Sequence, residues 1–364
     1  MSSPHQRALW TVCGLALACF CVLWAVVARH HPDVAWDFPQ FYLAAHLPAR
    51  DLYNRAAYLE LAERLFAGAG VRYFPPYVRP AVFALPLAPL GRLSYWNAFL
   101  VWAAMQSACY LTAVWLLHRL YPYPPEMLLA WAIFYPAISA IMMGHDAGAV
   151  LLLVLLALLQ LRAGRERLAG LLFSLCTYKF NLFLLLPVYL IAGRRRQALR
   201  YALAGAAVLL GASFLLQPPL AYYEYLKRIP EMTGGPGLAI TYGLPVLTHR
   251  WPFLYWMAAA AVALAAWWAI ARSDGTRGLA VAITGSLLVS RHVARYDLTL
   301  LAIPLAVALA SARKFAKLPA LALLLGIPLW LAPAGYTVVV VLLLFAGFIA
   351  AAAQEPAAAR GRLQ

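Results

Sequence analysis

Charge is what this chain has least of. Asp, Glu, Lys and Arg make up 12% of its 364 residues, and Asp and Glu together number 13. A soluble domain carries about 25% charged residues. With 65% hydrophobic residues and a mean hydropathy of +0.75, half that charge excludes an ordinary soluble globule and points to an all-α, polytopic membrane protein. Cysteine is scarce too. Cys13, Cys19, Cys21, Cys109 and Cys176 all lie in apolar segments without CxxC spacing, so neither a zinc site nor a disulfide framework is supported. They read as small apolar side chains. There is no Walker loop, GxSxG, HExxH or strand-borne GxGxxG, so nucleotide-powered and hydrolase chemistries lack support. No internal repeat is evident, which weighs against transporters built from inverted repeats.

What the chain has in abundance is apolar runs. They fall at roughly 8–28, 76–90, 95–118, 126–143, 147–161, 168–178, 180–192, 198–216, 252–271, 278–290, 297–311, 318–333 and 336–353. The run 8–28 is long enough to span a bilayer and lacks a convincing cleavage site, so it reads as an uncleaved first helix. Several other runs are shorter than a full span. Such pieces are tolerated when buried among other helices or beside a water-filled cavity. The expectation is a single domain, 1–364, with roughly 10–13 membrane segments and two long external loops, 29–75 and 217–251. In the first loop, Asp51 to Ala67 has the pattern of an amphipathic helix. Leu52, Leu59 and Phe66 are expected to face the membrane, and Arg55, Glu60, Glu63 and Arg64 to face water. The Tyr73-Phe74-Pro75-Pro76 tract with Pro80, Pro86 and Pro89 predicts a rigid, non-helical re-entry.

The net charge of +16 does not indicate nucleic acid. Its Arg residues sit in short clusters between apolar runs, not on one polar face. That pattern fits the cytoplasmic bias of Lys and Arg and attraction to anionic lipid headgroups. The clusters are Arg162–Arg167, Arg194–Arg200, Arg313 with Lys314 and Lys317, and the tail with Arg360 and Arg362. If the first two are both cytoplasmic, 168–192 must enter the membrane and return. It would be a hairpin with Lys179 near its turn, each arm reaching about 17 Å. The alternative is one long tilted span. Counting from these markers puts Gly144-His145-Asp146, Arg291–Asp297 and loop 217–251 outside, and the loop that begins at Asp37 joins them if residue 1 is inside.

Five places carry chemistry-bearing residues. Asp37 lies between Trp36 and Phe38 where the chain leaves the first apolar run. It is a candidate general base or metal ligand, or else a helix cap, a role Asp favours. Asp33 lies four residues earlier and is less embedded in aromatics. His145 and Asp146 interrupt an apolar stretch, where ionisable residues mark functional sites; a plain external turn is the alternative. Lys179 sits between two apolar arms and needs an anionic partner if buried. A lipid phosphate is one such partner, and snorkelling to a near surface is the other reading. Arg291, His292, Arg295 and Asp297 cluster between apolar segments. Phosphate binding is one reading of that cluster, and structural pairing of Arg295 with Asp297 is the other.

In order and spacing these features resemble the GT-C superfamily of integral membrane glycosyltransferases, most closely glycosyltransferase family 87, the polyprenyl-phosphate-mannose-dependent α-mannosyltransferases. The resemblance rests on Asp37, Phe38, Tyr42 and Ala44, then Leu52-Tyr53, then Tyr73, Pro75 and Pro76, then Gly144-His145. Ala169, Gly170 and Lys179 follow, and after them His292, Tyr296-Asp297-Leu298, Leu301 and Pro304. It runs from about residue 8 to 310. Each motif is short, and their order makes the set specific. One departure stands out: the family commonly has Gln after the glycine of the central turn, where this chain has His145-Asp146.

The resemblance implies transfer of a hexose, mannose first among them, from a polyprenyl-phosphate-sugar donor to a lipid- or glycan-linked hydroxyl, with inversion and with Asp37 as general base. It implies Lys179, His292, Arg295, His145, Asp146 and Tyr42 around the donor phosphate and substrate. No cofactor is expected, although a divalent ion on Asp37 and Asp146 stays open. Expected partners are the donor, the acceptor and membrane lipids, not nucleic acid. The expected location is the cell inner (plasma) membrane, multi-pass, with the site on the external side. A transporter or flippase of a lipid-linked or anionic substrate is the competing reading, and a non-catalytic scaffold is the third. An enzyme would bring Asp37, His145, Asp146, Lys179 and His292 together at one external cavity with a lipid-side opening. A transporter would place charges near the midplane, and a scaffold would scatter them.

Overall fold

The structure is a computed structural model, described here for residues 11, 14–15, 24, 26–27, 30, 37–67, 71, 75–121, 127–218, 220–223, 241–248, 250–310, 320–321 and 334–353. Most of the expected first span 8–28, the run 318–333, the middle of loop 217–251, Asp33, Tyr73, the cluster Arg313–Lys317 and the C-terminal tail lie outside the described residues. The regular secondary structure of the described residues is all helical, with no strand. In order they form α1 (Phe38–His46), α2 (Arg55–Phe66), α3 (Tyr95–Leu120), α4 (Met127–Ala132), α5 (Tyr135–Met143) and α6 (Ala147–Arg162). They continue with α7 (Glu166–Leu175), α8 (Leu186–Ala192), α9 (Arg196–Leu216), α10 (Pro245–Thr248), α11 (Pro252–Ile270), α12 (Gly275–Val289), α13 (Ala302–Ala310) and α14 (Ala334–Ala353).

Four of these, α3, α9, α11 and α14, are long and apolar enough to cross a membrane. The bent pair that runs through α5 and α6 adds a fifth if taken as one span. The chain is therefore an all-α polytopic membrane protein. The shorter apolar runs pair up or bend inside this frame, which satisfies their backbone within protein. α9 shows the opposite environment. Its Leu203, Val208, Phe214 and Leu215 are exposed, as expected of a face that meets lipid tails.

Two expectations are corrected. The Pro-rich re-entry is helical: Ala81–Arg92 forms a 3₁₀ helix with Pro86 and Pro89 inside it. Proline lacks the N–H of an α-helical ladder, and the tighter 3₁₀ turn is the helical form left to this stretch. The amphipathic segment does form a helix, α2, capped by Asn54, whose side chain accepts from the N–H groups of Ala56 and Ala57. Its apolar face does not turn to the membrane, however. Leu52, Tyr58, Leu61, Ala62 and Phe66 are buried in an aromatic cluster with Phe38, Phe41, Tyr42, Tyr77 and Tyr95. Only Leu59 of the apolar set expected at the membrane is exposed. The neighbouring aromatics bury more apolar surface than a headgroup layer would.

The two basic loops lie side by side. Arg195 Nη1 sits 3.3 Å from Glu166 Oε1, joining the start of α9 to the start of α7. Gly170 of α7 packs so tightly on the Ala198 carbonyl and Tyr201 that a Cβ there would overlap both, and further along Ser174 faces Gly205. α7 and α9 thus run parallel from one face. Residues 168–192 must enter and return, as the hairpin reading expected, with 3₁₀ turns over Cys176–Leu182 in between. α6 has 16 residues, about 24 Å of helix. Asp146 stands at the N-terminal end, without a side-chain capping bond, and the basic loop follows the other end.

Two apolar bodies make up the interior. One is the aromatic cluster around α1, α2, the 3₁₀ helix and the first half of α3. The other is a larger aliphatic core around α6, α12, α13 and α14. The polar residues described next lie at the seam between them.

Candidate active site

Three backbone features bring the site together. The first is the turn between α5 and α6. Gly144 has φ 70°, ψ 33°, the left-handed conformation that ends a helix, and its N–H donates to Ile141 O while His145 N–H donates to Ala140 O at 2.7 Å. This is a Schellman closure, for which glycine is the favoured residue. Three outside donors then fix the exposed carbonyls. Trp24 Nε1 donates to Met142 O at 2.9 Å, Asp37 N–H to Met143 O at 3.0 Å, and Trp102 Nε1 to Gly144 O at 2.8 Å. His145 and Asp146 are thereby held in one orientation, and Asp37 is tied to the same turn.

The second feature is the Pro75–Pro80 tract. Tyr53 donates its hydroxyl to the Arg79 carbonyl and Tyr58 to the Pro75 carbonyl, so the segment before α2 and α2 itself clamp the tract. Arg79 is then buried at 5% exposure. The third is the kink at Lys179, whose φ −121°, ψ 47° break the 3₁₀ segment and turn the side chain inward.

The side chains form one ion-pair network. Asp146 Oδ2 accepts from Arg79 Nε at 3.0 Å, and Asp146 Oδ1 lies 2.9 Å from Lys179 Nζ and 3.1 Å from His145 Nδ1. Lys179 Nζ also donates to Asp297 Oδ1 at 3.0 Å, while Asp297 Oδ2 accepts the Ala294 N–H at 2.9 Å. Arg79 Nη1 donates to Gln40 Oε1 at 3.0 Å, and the guanidinium lies 4.9 Å over the Phe41 ring. The His145 ring stacks on Tyr296 with centroids 3.8 Å apart. Two cations are thus balanced by two carboxylates, which is what burial of a charge requires.

Asp37 is the third carboxylate, and it differs from the other two. Among the described residues it makes no ion pair. It stands at the N-cap of α1 without a side-chain capping bond, so the capping reading does not describe it. Its carboxyl instead takes a hydrogen bond from Tyr296 and a long one from Gln40 Nε2 at 3.4 Å, and it feels Arg79 and Lys179. Part of its surface is exposed, yet desolvation by the surrounding protein outweighs those favourable charges and pushes its pKa up to about 6. A carboxylate tuned this way is a better proton acceptor near neutral pH than an ordinary aspartate.

The sequence-derived residues divide into two groups. Asp37, His145, Asp146 and Lys179 converge. Arg295 does not pair with Asp297; its Nη1 donates to Tyr135 Oη at 2.8 Å, leaving Asp297 to Lys179. His292 is exposed, and what holds its segment is its backbone carbonyl, which accepts from Asn181 Nδ2 at 2.9 Å. Tyr42 is buried in the aromatic cluster, with its hydroxyl donated to Leu93 O at 2.9 Å. Asp146 Oδ2 is taken by Arg79, while Oδ1 lies within ion-pair distance of Lys179 and His145. Among the described residues no group of three or more His, Cys, Asp or Glu is arranged to hold a metal.

Arg79 is the member that sequence reasoning missed. Its signal was a single guanidinium inside a Pro-rich apolar tract, which needs a carboxylate wherever it is buried. Gln40 and Tyr296 were passed over because neither is ionised at neutral pH.

Fold and site together define a polytopic helical membrane protein with a buried cluster of ionisable side chains at one end of its helices. Residues 77–291, more than half of the chain, match the model of glycosyltransferase family 87. The chain belongs to that family and is a glycosyltransferase. The matched stretch holds Arg79, His145, Asp146 and Lys179, while Asp37, Tyr296 and Asp297 lie beyond it. No curated protein and no solved structure matches the chain.

Proposed function

We propose that this protein is a GT-C type enzyme that transfers a hexose, mannose first among the candidates, from a polyprenyl-phosphate sugar to a hydroxyl on a lipid or glycan. Asp37 is the general base. One observation carries the reading: of three carboxylates at the site, two are consumed by Arg79 and Lys179, and the third is unpaired and raised to about 6.

In this reaction the acceptor hydroxyl oxygen attacks the anomeric carbon and its proton passes to the Asp37 carboxylate. The bond from that carbon to the phosphate oxygen breaks on the opposite face, so the centre inverts, through an oxocarbenium-like transition state. The polyprenyl phosphate leaves as an anion. Arg79 and Lys179 supply the positive field that favours it. Fixed charge of this kind is commonly the largest single catalytic contribution. Asp146 and Asp297 act as positioning residues that hold the two cations. The reaction as written needs no metal.

The basic loops gathered at the far ends of α6, α7 and α9 support a cytoplasmic face there. The acid–base centre then belongs to the external side of the cell inner membrane. Convergence of Asp37, His145, Asp146 and Lys179 at one end favours an enzyme over a transporter, whose charges would line a pathway near the midplane.

The test is Asp37→Asn, assayed for transfer from radiolabelled polyprenyl-phosphate mannose to native lipid extract. A loss of about 100-fold to 10,000-fold is expected, with unchanged expression. Wild-type transfer in this variant would sink Asp37 as the base. If the unmodified protein transfers instead from labelled polyprenyl-phosphate glucose or galactose, supplied in parallel reactions, the mechanism stands and the sugar changes.

A further inference from the structure

One cavity lies away from the acid–base centre. It opens at the other end of α6, on the face of the basic loops, and has a volume of about 440 Å³. Three guanidiniums from three elements line it: Arg162 at the end of α6, Arg195 in the α8–α9 loop and Arg277 in the first turn of α12. Leu158, Leu161 and Val307 form an apolar wall.

The charges at its mouth are incompletely compensated. Arg162 donates from Nε and Nη2 to the Thr276 hydroxyl, at 3.2 Å and 2.9 Å, and from Nη2 to Tyr121 Oη at 3.3 Å. Those partners are neutral, and among the described residues Arg162 has no carboxylate partner. Arg195 has one carboxylate contact, with Glu166 at 3.3 Å. Asp274, the lining carboxylate, accepts the N–H groups of Thr276 and Arg277 on Oδ1 at 2.9 Å, and its Oδ2 pairs with Arg277 Nε at 3.6 Å. Among the lining guanidiniums Arg162 is thus the one whose described partners are all neutral; Arg165 and Arg194 stand in the adjoining loops, and Arg167 and Arg196 in the first turns of α7 and α9. A cationic mouth over an apolar wall at the end of membrane helices suits a phosphate group that carries a lipid, and basic pockets between helices on the cytoplasmic side bind such headgroups. Guanidinium forks also match phosphate oxygens geometrically.

We propose that this cavity is a phosphate-binding site, distinct from the acid–base centre about 24 Å away along α6, and that its ligand is a phosphate ester such as an anionic lipid headgroup. The inference does not depend on the sugar-transfer reading, and its test does not measure transfer.

Full-length protein in detergent is titrated with dioleoylphosphatidylglycerol, with dioleoylglycerol as the phosphate-free control and with inorganic pyrophosphate. Bound species are counted by native mass spectrometry. Phosphatidylglycerol is expected to bind in preference to dioleoylglycerol, and Arg162→Gln or Arg277→Gln to weaken it about tenfold, the loss of one charge-assisted contact. Arg277 is half-exposed, so its variant carries the test if Arg162→Gln fails to fold. Competition by pyrophosphate would identify the phosphate alone as the recognised group; no competition would assign recognition to the lipid-borne phosphate. Equal binding of dioleoylglycerol, no binding of either phosphate probe, or wild-type affinity in a folded variant would overturn the proposal.

Discussion

Asp37 and Lys179 behave differently because one is unpaired and the other is shared. As a base, Asp37 works only when deprotonated. With its pKa raised to about 6, transfer should rise with pH through about 6 and level off above it. The acid limb of a kcat/KM profile checks this. A limb centred near the ordinary aspartate value of about 4 would remove Asp37 from the role. Lys179 Nζ touches both Asp146 and Asp297. Lys179→Met should leave Asp297, 4% exposed, without a cation and cost about 3–5 kcal/mol, read as a lowered Tm in detergent. Lys179→Arg should recover part of that Tm. At this scale the sequence was informative wherever an ionisable residue interrupted an apolar run, as at His145, Asp146 and Lys179. It was silent on partners. Arg295 stands two residues from Asp297, yet the carboxylate pairs with Lys179, which is 118 residues away.

Elements place these residues through tight backbone contacts. Gly144 holds φ 70° with the Phe38 Cβ directly against it. Gly144→Ala should cost about 1–2 kcal/mol for the left-handed conformation alone, and more because Phe38 must move, carrying Asp37 with it. Transfer activity should therefore fall further than the Tm shift would suggest. A variant with wild-type activity would separate the turn from the site. Gly170→Leu should force α7 from α9, where the Ala198 carbonyl and Tyr201 leave no room. Hydrogen exchange over 166–205 should then increase relative to α12. The helices α2 and α6 were legible in the sequence from their periodicity and apolar length. The 3₁₀ form of 81–92 was not, because the proline rule forbids an α-helix without naming what replaces it. Nor was the burial of the α2 apolar face, since lipid and an aromatic core present the same signal to a hydropathy pattern.

The whole molecule separates two charged ends by the length of its helices. The Glu166–Arg195 pair puts both basic loops on one face, so cysteines introduced at Arg165 and Arg194 should react with an impermeant maleimide from the same side of sealed vesicles. A cysteine at Asn54 should react from the other side. Labelling of positions 165 and 194 from opposite sides would replace the hairpin by a single span. The membrane class, the helical character, the clustering of basic loops and the candidate status of Asp37, His145, Asp146 and Lys179 were determined by sequence alone. Apolar length and isolated charge are local properties, and their cost in a bilayer does not depend on the fold. Tertiary structure decided the rest: that Arg79 joins the site, that Asp146 and Asp297 are consumed by cations, and that His292 and Tyr42 stand apart from the network. It also decided that a second cationic cavity lies at the opposite end. Pairing energies fall off within a few ångströms, so which charge meets which is settled only when helices distant in sequence are packed together.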